Sequence, residues 1–174
     1  MIICSCEAIS KKEIEQCIKN GCNTVIKVGE ECFAGTDCGG CRESIMSIIK
    51  EQELFRVKEI ASKIQYKDWT LRVERDNSAE NGRVFLQWIY DDNCVIKGDY
   101  REWHCRKWYL SPYMLESEIV NTAFAAALAA EEHDAREKFK YKDVRLFNPH
   151  ISLEALMEVA HRETTRERPI DEDS

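Results

Sequence analysis

Apolar positions recur at two different periods along this chain of 174 residues. The first third keeps helical spacing in short bursts. Ile9, Ile14, Cys17 and Ile18 make one stripe; Ser10 and Glu13 before and within it are spaced as a capping box, and Gly21 is placed to end it. A second short helix starts near Asn23 or Thr24 and runs toward Cys32, with Val25, Val28 and Cys32 inward and Gly29 counting against it. Ile45, Ile48 and Ile49 mark a third, from about Cys41 or Arg42 to Gln52. Leu54, Val57, Ile60, Ala61 and Ile64 keep the spacing, as a helix that continues the third or follows it after a kink.

From Trp69 the period falls to two. Trp69, Leu71 and Val73 alternate with Thr70, Arg72 and Glu74, which predicts a half-buried strand. Residues 76–82 are turn-rich, and Val84–Tyr90 is a second strand, antiparallel to the first. Glu102–Leu110 is a third candidate, with Val95 and Ile96 a short edge before it. Such a sheet needs a covering helix. Ser111 and Pro112 read as its N-cap and first-turn proline, and Ile119, Val120, Ala123, Phe124, Ala127 and Leu128 as its packing stripe, with the pattern reaching about Lys138. Tyr141–Phe147 reads as strand or extended connection, and Ser152 caps a last helix carrying Leu153, Leu156, Val159 and Ala160.

These patterns predict an α+β protein: a small all-helical module at 1–54, a helical connector at 55–65, and a domain at 66–163 whose short antiparallel sheet packs against a long helix. A charged tail at 164–174 frays. No Pro/Gly/Ser linker separates the parts. A module of about 50 residues buries only a small core, so its folding calls for a metal or another staple.

Charge narrows the function. With 25 basic against 32 acidic side chains and no basic block, a nucleic-acid binder is not favoured. No apolar run is long enough to span a membrane, and Cys4 arrives too early for a signal peptide, so a cytoplasmic, reducing location is expected. There most of the nine cysteines are thiols or metal ligands rather than disulfides.

Four of them stand in two close pairs, Cys4-x-Cys6 and Cys38-x-x-Cys41, separated by 31 residues. Four thiolates suit an iron–sulfur cluster or a zinc ion, and Cys38–Cys41 alone has the form of a redox dithiol. The second pair lies in the glycine-rich run Gly35–Gly40, just before a helix. There free N–H groups and the helix dipole favour an anionic centre, and Gly39 and Gly40 let the backbone wrap closely around sulfur. Cys17, Cys22, Cys32, Cys94 and Cys105 read as small hydrophobes.

Cys4-x-Cys6 followed by Gly35-Thr36-x-Cys38-Gly39-x-Cys41 resembles the bacterioferritin-associated ferredoxin-like (BFD-like) [2Fe-2S] domain over residues 1–52. Related versions occur inside larger proteins, among them assimilatory nitrite reductases. The resemblance implies a compact helical fold around one [2Fe-2S] cluster, with Cys4, Cys6, Cys38 and Cys41 as its metal ligands. In the stand-alone ferredoxin, basic residues help bind an anion and contact the iron-storage partner; here Thr24–Glu31 holds one lysine beside two glutamates, so that partner does not carry over. Around Arg106–Pro112 the later part is similar to uncharacterised phage and mobile-element domains, which implies no activity.

Elsewhere the candidates are weak. His104 and Cys105 alternate onto opposite strand faces, so Cys94, His104, Cys105 and His133 do not converge on a second metal site. Glu131–Asp134 reads as a solvated helix face, and Trp88, Tyr90, Trp103, Trp108 and Tyr109 as core or interface rather than a stacking platform. No catalytic constellation or nucleotide fingerprint is legible, so a carrier or binding protein is expected rather than a catalyst. The leading expectation is one-electron transfer, with a redox partner protein or a second copy engaged through the later domain. The alternatives are a regulatory protein whose cluster senses redox state or only stabilises the fold, and a zinc adaptor.

Overall fold

The computed structural model describes residues 1–78, 82–89, 107–130, 132–141 and 154–155. The chain divides into two units, Met1–Arg56 and Val57–Ser174.

In the first unit Ile2–Cys4 (β1) pairs antiparallel with Ile9–Ser10 (β2), Ile2 opposite Ser10 and Cys4 opposite Ile9. This corrects the all-helical expectation. The chain reverses across residues 5–8 with Ala8 at φ 54°, so the arms of the turn run alongside each other. Strands of three and two residues are too short to show alternation in sequence.

Lys11–Lys19 (α1) follows directly, with the capping box formed: Glu13 N–H donates to Ser10 Oγ at 3.4 Å and Ser10 N–H to Glu13 Oε2 at 2.8 Å. Asn20 closes the helix, and Gly21 at φ 102° turns the chain away. Val25–Cys32 (α2) is capped by the Thr24 hydroxyl and ends at Phe33, whose φ is 65°. Gly29, a liability by propensity, has a packing reason. A Cβ there would lie 3.0 Å from Thr36 Cγ2 and 3.3 Å from the Ala34 carbonyl, so the bare backbone lets the following loop return against α2. Arg42–Ala61 (α3) is one continuous helix, so the residues after Gln52 continue the third helix without a break. Ile14, Val28, Ala34, Ile45, Ile48 and Ile49 form the core of the first unit together with Cys4 and Cys41.

The second unit contains Ile64–Tyr66 (β3), Thr70–Asp76 (β4), Arg83–Ile89 (β5), Trp108–Tyr109 (β6), Glu116–Ala130 (α4), Glu132–Lys138 (α5) and Phe139–Tyr141 (β7). β4, β5 and β6 make an antiparallel sheet in that order, with Val73 opposite Leu86 and Leu86 opposite Trp108. β3 pairs with β7, Ile64 opposite Tyr141. Ile64 therefore does not continue the helix; Tyr141 ends β7, and the rest of the expected strand or extended connection, residues 142–147, lies outside the described residues. Both three-residue strands read buried–exposed–buried. So short a pattern fits either period, and only the partner strand decides.

α4 starts at Glu116, not at Ser111–Pro112. Tyr113 at φ 61° is incompatible with a helix, and the Glu118 carboxylate accepts the Leu115 N–H at 2.6 Å, half of a capping box. The expected stripe is buried, as are Thr122, Ala125 and Ala126, so α4 is covered on nearly all sides. Trp88 on β5 donates its indole N–H to the Ala123 carbonyl at 2.9 Å, satisfying its one polar atom inside the core. Its ring meets Tyr66 and Phe139 edge-on, and Phe124 lies 5.0 Å from Phe139. Trp108 is buried, the Tyr109 hydroxyl donates to Asp76 at 2.7 Å, and Asp134 pairs with Lys67 and Lys138.

Tyr90, Cys94, Val95, Ile96, Trp103, His104 and Cys105 lie outside the described residues, as do the side chains at 131–133, most of the last helix and the tail. Among the described residues no helix is long and apolar enough to cross a membrane.

Candidate metal centre

The β1–β2 reversal carries Cys4 into the interior, 3% exposed, and leaves Cys6 on the turn, exposed to solvent. On the other side the loop from Ala34 to Cys41 presents a second such pair. Cys41 is 8% exposed and stands at the N-cap of α3, where Ile45 N–H donates to its carbonyl at 2.9 Å; Cys38 is exposed. The four sequence-predicted cysteines are thus brought together as an outer pair and an inner pair. Cys6 Sγ and Cys38 Sγ are 3.3 Å apart, and Cys4 and Cys41 lie in the same buried cluster, close enough for each thiol to bear on the other's ionisation. They do not crowd one point: among the described residues no three His, Cys, Asp or Glu side chains gather closely enough to hold a single ion.

Backbone donors are aimed at sulfur on both sides. Gly40 N–H approaches Cys38 Sγ at 3.5 Å. The N–H groups of Gly35 and then Glu7 pull the Cys4 thiol below its ordinary range, against the opposing effect of burial. Burial pushes its neighbour Cys41 up, and the Cys4 thiol adds to that shift. Of the inner pair, Cys4 is therefore the more readily ionised. In the outer pair, hydrogen bonds with Cys38 and then Asp37 raise Cys6 to about 11. A cation bound between the sulfurs of either pair removes that mutual penalty, since metal ligation requires the thiolate.

Gly35 at φ 80° and Gly39 at φ 73° supply the loop's reversals, a conformation that costs other residues strain. At Gly40 the donor matters and the space does not. A Cβ on it would sit 3.6 Å from Cys38 Sγ, an ordinary contact, so its contribution is the N–H and not the missing side chain. Sequence reasoning left Gly35 as merely the start of the turn and gave Arg42 no role. Arg42 donates from Nε to the Gly35 carbonyl at 2.9 Å. A cation in the first turn of a helix opposes the macrodipole, which is the signal that it is there for another reason.

Cys17, Cys22 and Cys32 behave as the small hydrophobes expected. Cys17 is buried, and burial first, then the nearby Cys32 thiol, raises it to about 12. Cys22 and Cys32 pack against the core, and Cys32 donates to the Val28 carbonyl.

The model of the BFD-like [2Fe-2S] binding domain matches residues 2–51. The chain is also 33% identical over 63 residues to the nitrite reductase [NAD(P)H] of Emericella nidulans, a match covering 36% of this chain and 6% of that protein. No solved structure matches. The sulfur pairs, the N–H groups directed at them and the paired glycine reversals fit that family's cofactor, and residues 2–51 form a BFD-like [2Fe-2S] binding domain whose cofactor is a [2Fe-2S] cluster.

Proposed function

We propose that this chain is a one-electron carrier in which Cys4, Cys6, Cys38 and Cys41 hold the cluster. The observation that carries the reading is the two-and-two arrangement of thiols, with Cys6 and Cys38 3.3 Å apart at the surface and Cys4 beside Cys41 in the interior. Two bidentate pairs suit two irons, whereas a structural zinc draws all four ligands to one point. When bound, a [2Fe-2S] cluster supplies a single reducing equivalent at a potential set by its surroundings.

The chain's own groups do the rest. N–H donors at Gly35 and Gly40 stabilise negative charge on the sulfurs. The buried inner pair is kept from water, and the exposed outer pair gives a short route to a partner. That partner is a redox protein docking over Cys6 and Cys38, with the second unit serving recognition or self-association. A reducing compartment such as the cytoplasm keeps the thiols available. The matching domain in a nitrite reductase named for NAD(P)H supports electron traffic as the role.

Anaerobically purified protein should hold iron and sulfide in equal amounts, absorb in the visible, bleach with dithionite and show a reversible one-electron EPR signal. A colourless chain holding stoichiometric zinc after iron-replete expression overturns the reading. A cluster that exchanges no electrons with a reductase, but whose loss switches binding to a macromolecule, replaces carriage by sensing.

A further inference from the structure

Between α2 and α3 the first unit carries an open groove of about 1160 Å³. Small buried residues, Gly29, Ala34 and Gly35, line its deep part. Large apolar side chains stand around them. Ile26 and Phe33 come from α2 and its cap, one turn to either side of Gly29, and Met46 comes from α3; all three are exposed. Exposed apolar groups gathered at one hollow, rather than scattered singly, mark an interaction surface. A patch that holds both a hollow and protruding groups can receive a copy of itself, which is what a two-fold contact requires.

Charge says which partner fits. Glu43, Met46, Ser47 and Lys50 fall at i, i+3, i+4 and i+7, so they share one face of α3, and all four are exposed groove residues. The acid stands at one end of that face and the base at the other, with Met46 and Ser47 midway. When two such helices lie antiparallel about a two-fold axis through the midpoint, Glu43 of each copy faces Lys50 of the other. Glu30 and Arg42 complete the charged lining, two residues of each sign. A partner of strong single charge meets no net charge there, whereas a second copy matches the α3 face pair by pair.

We propose that this face is a self-association surface: two copies of the chain pair through the α2–α3 groove, their α3 helices antiparallel, with Ile26 and Phe33 of each copy seated in the groove of the other. The proposal assigns self-association to the first unit and leaves recognition to the second. It stands apart from the ligand set and from electron transfer. Neither Cys6 nor Cys38 lines the groove, so pairing does not require the exposed thiols to be covered.

Sedimentation equilibrium of the anaerobically purified full chain tests this, alongside Met46→Asp, Glu43→Lys, Lys50→Glu and the variant carrying both charge reversals. All three side chains are exposed, so the substitutions leave the core intact. The native chain should show the mass of two copies at about 100 µM. Met46→Asp sets a carboxylate near its own copy at the axis and should weaken the dimer by at least about tenfold. Each single reversal turns two attractive pairs repulsive and should also weaken it by about tenfold. The double variant restores both pairs and should recover native affinity. Mixing the two single variants should give a heterodimer tighter than the dimer either forms alone. A native chain that is monomeric at about 100 µM overturns the proposal and leaves the groove to another partner. Native affinity in Met46→Asp or in the single reversals overturns it too, by assigning the dimer to a different face, as does a double variant no tighter than the singles.

Discussion

The two units solve the same problem of burial with different materials. In the first, the buried cluster is made of isoleucines, a valine, an alanine and two cysteines, and both phenylalanines, Phe33 and Phe55, are exposed, by 63% and 66%. In the second, Tyr66, Trp88, Phe124 and Phe139 meet around a helix covered on nearly every side. A unit of about 50 residues with an aliphatic core is near the lower limit for folding without a staple, whereas aromatic side chains bury far more area each. Ligand binding to thiols that the fold must first bring together is itself folding free energy. The contrast teaches that the candidate ligand thiols and the large aromatic core belong to different units.

The sharpest way to break that comparison is Cys38→Ser. It should abolish the visible spectrum and remove hydrogen-exchange protection from most of residues 1–52, the largest effect of any single change. All four tryptophans, Trp69, Trp88, Trp103 and Trp108, belong to the second unit, so tryptophan emission should stay native. Iron retained at native stoichiometry would refute the ligand assignment. Emission that collapsed along with the cluster would refute the division of labour.

Phe124→Ala probes the other side. Phe124 is fully buried, and its loss should cost about 3–5 kcal/mol, read as a lower denaturation midpoint followed by tryptophan emission. The visible spectrum should not change. A bleached spectrum in this variant would mean that the cluster depends on the second core.

The smallest effect is expected from acid. Hydrogen bonds from the Ser78 hydroxyl, then Tyr109, then Lys107 hold the Asp76 carboxyl well below the usual carboxylate range. A depressed folded-state pKa contributes stability that is complete above about pH 5 and fades progressively as the pH falls below it. Asp76→Asn should therefore be less stable than the native chain at neutral pH, with the difference shrinking toward strong acid. A gap that widened on acidification would contradict this sign.

Sequence pattern served the helices of the first unit well because their signals are local. Ser10 with Glu13, Gly21 after α1 and Thr24 before α2 act within a few residues, and each forms as its spacing suggests. Reading failed where a short segment has no period of its own. β1 and β2 exist because a tight reversal lays them side by side, and β3 exists because β7 pairs with it. The start of α4 was misplaced for another reason: Ser111 and Pro112 are good opening residues, but Tyr113 takes a left-handed conformation, and the first turn waits for Leu115 and Glu118.

At the candidate metal centre, residue types and spacing single out four thiols as candidates, because soft-ligand chemistry is written in side-chain identity. Which thiol is inner and which outer, that Cys6 stands opposite Cys38 and Cys4 beside Cys41, and that Gly35 and Arg42 belong to the same construction, are matters of tertiary structure. Those facts depend on where two distant segments of backbone come to rest. That placement is set by the packing of α1, α2 and α3 against one another, and no local run of residues contains it.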